Sequence, residues 1–356
     1  MGNFLLKKLK IGYWPISSDF NSAGDRRRLI FWAQSRGHTV TTDLNQNLDV
    51  IVVTAKGDLN SKFWTTNKVP VIFDLVDAYL SPSGKLEDFG RSIAKSLNGE
   101  LSGFTKYFSK RIEEFCKYSR AVICSSIEQE VIIRTCNRNT HVILDSHEEI
   151  PWLSPGSNSV LRSFEKHLFW EGQPATLRGL KVLSSAFQEI QKRFNVHLNL
   201  ITDSNYFLLL NSYLKRDTLS LVRRNLRVRE DFLHVVPWST GNLTAYAQKS
   251  SLGVIPVDIS IPSQRLKPEN RLLIMWRLGL PALTSPTPAY LRVSLEAGTQ
   301  VICHSSDEWR ENLMTLLNDN RYARAQVVQG QDYLRANHSR DSLLRKWDYV
   351  IQSVIG

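Results

Sequence analysis

The stretch Arg265 to Tyr290, RLKPENRLLIMWRLGLPALTSPTPAY, decides how the rest of the chain is read. It opens on the polar cluster Lys267, Pro268, Glu269, Asn270 and Arg271, runs through the apolar segment Leu272 to Leu278, and breaks at Gly279. Leu280-Pro281-Ala282-Leu283 then reads as a short buried strand, followed by a Ser/Thr/Pro loop. With the apolar run Leu252 to Pro256 upstream, the order is strand, loop, helix, glycine stop, strand. Pro268 falls where a first-turn proline is tolerated, its missing N–H being one that would go unpaired anyway. A helix starting there turns free N–H groups and a partial positive charge toward its loop, and Lys267 and Arg271 add two cations. This pattern predicts a site for a di-anion.

At 356 residues, 42% apolar and 22% charged, the chain has ordinary globular composition and room for two medium domains. It holds no apolar run of roughly eighteen or more residues, and Met1 to Lys10 carries lysines after its few apolar residues, unlike a signal peptide. A cytosolic protein is expected. Cys116, Cys124, Cys136 and Cys303 show neither a Cys-x-x-Cys pair nor a zinc-like spacing with histidines, so reduced and mostly buried thiols are expected. The net charge of +11 is uneven: residues 1–160 hold 20 Lys+Arg against 17 Asp+Glu, and residues 161–356 hold 25 against 17. Such a balance suits anionic partners in general, from a nucleotide-sugar to a lipid phosphate, a membrane surface or nucleic acid. No zinc finger, helix-turn-helix signature or aromatic-interleaved RNA motif supports the last.

The first half reads as alternating strands and helices. Lys10 to Trp14 is a strand, Pro15 to Ala23 a loop containing Ser22, and Gly24-Asp25-Arg26-Arg27-Arg28 leads into a helix that stops at Gly37-His38. Strand, glycine-containing loop and helix open a doubly wound α/β domain, with ligands expected at the strand's carboxyl end. Further strands are expected at Asp49 to Thr54, Pro70 to Phe73, Ala121 to Cys124 and His141 to Leu144, which argues for a mainly parallel sheet. Asp74 and Asp77 follow the Pro70 run, Asp77 reading as a cap or loop acid. Phe104, Tyr107, Phe108, Ile112 and Phe115 fall near one helical face with Lys106, Lys110, Arg111 and Lys117 around them. That stripe is either a core-facing helix or a surface for peripheral contact with an anionic membrane.

Glu148 to Ser163 is rich in Pro, Ser, Gly and Asn and is the expected linker. A second α/β pattern follows: a strand at His167 to Trp170, then Glu171-Gly172-Gln173, then Thr176-Leu177-Arg178-Gly179-Leu180 opening a helix to about Arg193. More strands are expected at His197 to Ile201, Phe232 to Val236 and Leu252 to Pro256. Lys215, Arg216, Arg223, Arg224, Arg227 and Arg229 read as a solvated helix and turn. From Ser339 to Val354, Leu343, Leu344, Trp347, Val350 and Ile351 recur at helical spacing.

Taken together, Gly279-Leu280-Pro281, the Gly24 loop, the Arg36-Gly37-His38 turn, the Gly172 loop with Arg178 and Pro237-Trp238-Ser239 resemble the motif order of GT-B glycosyltransferases, in particular glycosyltransferase family 4. The resemblance implies an α/β chain of two Rossmann-like domains facing a cleft, here 1–155 for the acceptor and 156–336 for the donor, with 337–356 a helix crossing back to the first. It also implies a nucleotide-sugar as donor substrate, no cofactor and no metal, and a glycan, glycolipid or lipid-linked acceptor. Carried over by position, Gly172, Gln173, Arg178, Trp238, Lys267, Glu269, Asn270, Arg271 and Ser285 would bind the donor, and Ser22 and Gly24 would line the cleft. Trp238 would stack on the base or belong to an interdomain core. Asp25 is the candidate general base for an inverting reaction, or else a helix cap or arginine partner.

Departures from the family are specific. Gln173 stands where the family has arginine, while Arg178 keeps the position of the lysine. The two family glutamates are missing, their positions being Leu266 and Ile274, and Glu269 and Asn270 are the nearest polar replacements. A catalytically silent module that binds a sugar nucleotide or a partner enzyme is the alternative to a working transferase.

Overall fold

The structure is a computed structural model describing residues 7–81, 107–155, 164–208 and 214–356. The chain divides into two compact units, one formed by Met1–Ser146 with Arg340–Gly356 and the other by His147–Ser339.

In the first unit six parallel strands lie in the order β2-β1-β3-β4-β5-β6: β1 (Lys10–Trp14), β2 (Thr39–Thr41), β3 (Val50–Thr54), β4 (Val71–Leu75), β5 (Ala121–Cys124) and β6 (Thr140–Val142). Every residue of β3 and β4 is buried, as the continuous apolar runs require of parallel strands covered on both faces. One face, with Ile11, Tyr13, Val50 and Val52, packs on Leu29 and Trp32 and on Leu344, Trp347, Val350 and Ile351 of the last helix, Arg340–Ile355. That helix is fixed further by Asp348, which accepts from Trp32 Nε1 at 2.7 Å and from the Arg36 guanidinium. The other face packs on the helix Phe108–Tyr118 through Phe108, Ile112 and Phe115, all buried. Phe108, Ile112 and Phe115 are therefore core and not a membrane surface, while Tyr107 is half-buried; Phe104 and Lys106 lie outside the described residues.

The second unit has five parallel strands in the order β11-β8-β7-β12-β13: β7 (Glu165–Glu171), β8 (Asn195–Ile201), β11 (Leu233–Val236), β12 (Leu252–Ile255) and β13 (Ala282–Thr284). A separate antiparallel pair, β9 (Asn205–Leu208) with β10 (Leu214–Asp217), takes up part of the stretch expected to be helix and turn. The helix Asn270–Arg277 begins two residues beyond Pro268, with Glu269 as its N-cap, and is followed by Gly279 at φ +68°. A Cβ at Gly279 would stand 2.7 Å from the Ser154 carbonyl oxygen. That approach corrects the linker expectation. Residues 147–155 dock on this unit, with Leu153 N–H donating to Arg277 O at 2.9 Å and Gln331 Nε2 to Leu153 O at 2.8 Å. The chain thus changes units at 146/147 and again at 339/340, rather than at 155/156 and 336/337. Residues 156–163 lie outside the described residues.

Each sheet reverses its direction of growth once. In the first unit the chain runs from β1 out to β2 and returns to β3 on the other side; in the second it runs from β7 to β8 and returns to β12. Open parallel sheets bind ligands beyond the carboxyl ends of the strands at such points.

Candidate anion site of the second unit

The carboxyl end of β7 is Trp170-Glu171-Gly172, beside the switch point. Arg271, at the second position of the Asn270 helix, reaches it. Its guanidinium lies 4.8 Å from the centre of the Trp170 ring, and its Nε is 3.5 Å from Glu171 Oε1. Gly172 has φ +149°, and a Cβ there would come within 3.3 Å of Arg271 Cζ. Glycine is needed at this turn both for its backbone and for room beside the guanidinium.

The polar atoms gathered here are incompletely satisfied. Arg271 Nε and Nη2, Glu171 Oε1 and Asn270 Oδ1 are buried and have no hydrogen-bond partner. The Arg271–Glu171 separation is an ion-pair distance without a hydrogen bond. Buried polar groups are ordinarily paired, and leaving one unpaired costs on the order of 1–3 kcal/mol. A cation at a helix N-terminus also opposes the helix dipole. Both costs are relieved by an anion that takes hydrogen bonds from Arg271 and lies before the free N–H groups of the helix.

Around this core sit Tyr290 and the pair Glu269–Arg292, joined at 3.4 Å. Tyr290 is buried, and its hydroxyl is pushed up to about 12 by burial, with Arg271 opposing and Glu171 and Glu269 adding. Glu269, at the N-cap position but making no side-chain cap hydrogen bond, is thus engaged with a guanidinium from the next helix, Pro288–Ala297. Lys267 is half-buried on the loop just before that N-cap. Ser285, beyond β13, is buried and its hydroxyl accepts from Val257 N–H at 2.8 Å, tying the loops after β12 and β13 together.

The remaining sequence-derived donor residues are placed differently. Gln173, just before the short 3-10 helix Pro174–Gly179, and Arg178 on it are exposed, and the Arg178 side chain makes no ion pair or hydrogen bond with a described residue. The sequence led to an α-helix opening at Thr176; Pro174 sets a tighter turn first, and the α-helix spans Leu180–Gln191. Trp238 is half-buried in the loop after β11, at a carboxyl end two strands away from β7. Glu171, Trp170 and Arg292 were not singled out from sequence. The signal available was an acidic residue next to the glycine of a strand-ending turn.

In the first unit, Asp25 is fully buried and its carboxylate is occupied. It accepts from Tyr13 Oη at 2.5 Å, Ile16 N–H at 2.8 Å, Ser17 N–H at 2.9 Å and Ser17 Oγ at 3.0 Å. Tyr13 is raised well above the usual phenol range by burial and by Asp25. These contacts make Asp25 the anchor of the β1 loop, a role at odds with a base that must reach an acceptor hydroxyl. Gly24 lies under Ile16, 2.4 Å from its Cδ1 for a built Cβ, and Ser22 is the N-cap of the short helix Ala23–Arg26. Behind them Arg28, fully buried, holds Asp74 through Nη2 at 2.5 Å and Nε at 3.0 Å, and donates to Ile143 O at 2.6 Å.

Two parallel sheets of this topology, in two Rossmann-like units, define the GT-B fold. Among solved structures, TarM aligns at a TM-score of 0.60 with 12% identity, over 85% of this chain and 54% of TarM. Sucrose-phosphate synthase from Thermosynechococcus elongatus aligns at 0.60 with 12% identity, over 86% of this chain and 73% of that one. A UDP-forming trehalose-phosphate synthase from Burkholderia xenovorans aligns at 0.56 with 11% identity, over 86% and 74%. All three are GT-B glycosyltransferases. This chain spans about half the length of TarM. No protein-family model and no curated protein matches the sequence.

Proposed function

We propose that the chain is a glycosyltransferase, a divergent relative of family 4, that moves a sugar from a nucleotide-sugar to a glycan, glycolipid or lipid-linked acceptor in surface polysaccharide synthesis. The observation that carries this reading is the buried, unsatisfied guanidinium of Arg271 at the switch point of the second sheet, opposite the strand-ending Gly172. Glycosyl transfer builds negative charge on the departing nucleoside diphosphate, and a preorganised guanidinium with helix N–H groups stabilises that charge at no reorganisation cost. Arg271 would hold the diphosphate, Lys267 would add charge at the loop, and Glu171 would keep Arg271 in place before the donor arrives. In this reading the cations do the work without a metal, and the protein acts at the cytoplasmic face of a membrane. No helix among the described residues is long and apolar enough to cross one.

UDP is the first nucleotide to test, since a TarM variant was crystallised with UDP and the trehalose-phosphate synthase is UDP-forming. A ligand that binds only the folded state raises its melting temperature by mass action. Thermal-shift titrations with UDP-, GDP-, ADP-, CMP- and dTDP-sugars, each with and without a chelator, should give a chelator-insensitive rise with one nucleotide class. Absence of a rise with every donor would overturn the proposal. A second reading, a silent module that binds the nucleotide without transferring the sugar, is favoured by the fully occupied carboxylate of Asp25. Release of free sugar from the bound donor would exclude it.

A further inference from the structure

The first unit carries a groove of its own, remote in sequence from the Arg271 site. It has a volume of about 490 Å³ and runs between the edge strand β6, the helix Ile127–Ile133 and the last helix, Arg340–Ile355. Its size is that of a small-molecule or oligosaccharide site, which typically spans ~300–1,000 Å³. The charged side chains facing it are Glu130, Arg134, Arg345 and Lys346. Glu130 and Arg134 pair at 2.9 Å and neutralise one another, whereas the side chains of Arg345 and Lys346 make no ion pair or hydrogen bond with a described residue. The groove therefore has two exposed cations in excess. Tyr349, 63% exposed, stands with its ring against His141, their centres 5.6 Å apart and nearly perpendicular.

We propose that this groove binds an acidic oligosaccharide, the anionic groups of the chain meeting Arg345 and Lys346 and a sugar ring lying on Tyr349. The combination selects that class. Two cations attract anionic groups, the aromatic ring offers a face to sugar C–H groups, and the Glu130 oxygen that Arg134 does not hold can accept from hydroxyls. The inference rests on the glycosyltransferase reading only in making the bound chain an acceptor. Binding itself is independent of that reading.

Calorimetric titration of the full chain at low salt, with tetragalacturonate and maltotetraose as probes, tests the proposal. Tetragalacturonate should bind at least about tenfold more tightly than the uncharged maltotetraose, and Arg345→Gln/Lys346→Gln should remove about that factor. Both side chains are exposed, so the variant should melt with the native protein; Tyr349→Ala should weaken both oligosaccharides equally. Equal binding of the two probes, no binding of either, or an unchanged double variant would overturn it. So would pyrophosphate binding as tightly as the tetrasaccharide, which would mark a phosphate site, or an oligouridylate doing so, which would mark a nucleic-acid site. Failure of the transferase reading shows separately, as the absence of any nucleotide-sugar shift, and leaves this comparison intact.

Discussion

The Asp25 and Arg28–Asp74 contacts of the first unit and the Arg271 cluster of the second are in opposite states. In the first, Asp25 accepts four hydrogen bonds and Arg28 holds Asp74 through two nitrogens, both arginine and aspartate fully buried. In the second, Arg271, Glu171 and Asn270 have buried atoms with no hydrogen-bond partner. A satisfied network is finished by folding and gives rigidity; an unsatisfied one is finished by water or by a ligand. Buried polar side chains thus scaffold one unit and prepare the other for binding.

The largest expected effect falls on the satisfied network. Arg28→Met alone strands the buried Asp74 carboxylate, and urea unfolding should show a loss of about 3–5 kcal/mol, whereas Arg28→Met/Asp74→Leu together should lose much less. Arg271→Ala should do the reverse: nucleotide-sugar affinity falls by one to two orders of magnitude, corresponding to about 1.5–3 kcal/mol for a charge-assisted contact. Its melting temperature should stay close to the native value. A parallel collapse of fold would make Arg271 a scaffold like Arg28 and remove the contrast. Gly172→Ala imposes backbone strain of about 1–3 kcal/mol and crowds the guanidinium, so binding and stability should fall together by moderate amounts.

The smallest effect concerns neither site. His167, His197 and His234 stack across β7, β8 and β11 with ring centres 5.1 and 5.3 Å apart. His197 is lowered by burial and by His167, and His234 by burial and by His197. The unfolded chain then binds protons more readily than the folded one below its own value of 6.5, so this contribution is complete above that pH and stability falls as pH drops through it. Thermal melts between pH 7.5 and 5 should show the decline, and His197→Asn should flatten it.

Much of the sheet framework was legible because its strands are continuous apolar runs: Val50–Thr54 and Val71–Leu75 are buried at every position. Thr39–Thr41 and Leu214–Asp217 escaped because TVT and LKRD carry no apolar run, whereas Asn205–Leu208 (NYFL) carries one that was not singled out. In the candidate site, Arg271 was legible from its place at a helix start. Glu171 was not, because what marks it is proximity to a residue a hundred positions later, which spacing along the chain does not encode. Asp25 was read as a candidate base, a helix cap or an arginine partner, and the four donors that occupy it, including the phenol of Tyr13 from the strand before, emerge only when the loop closes. Ser285 likewise was expected to meet a ligand, and the Val257 N–H that takes its hydroxyl comes from a neighbouring strand end.

Leu344, Trp347, Val350 and Ile351 complete the core of the first unit, although they follow the whole second unit in the chain. On a ribosome, the first sheet therefore emerges long before the helix that covers it. The second unit, continuous from His147 to Ser339, has its entire core in hand earlier. The half of the molecule synthesised first is the last able to finish folding, and until Arg340–Ile355 arrives its uncovered face is the surface a nascent-chain chaperone would meet.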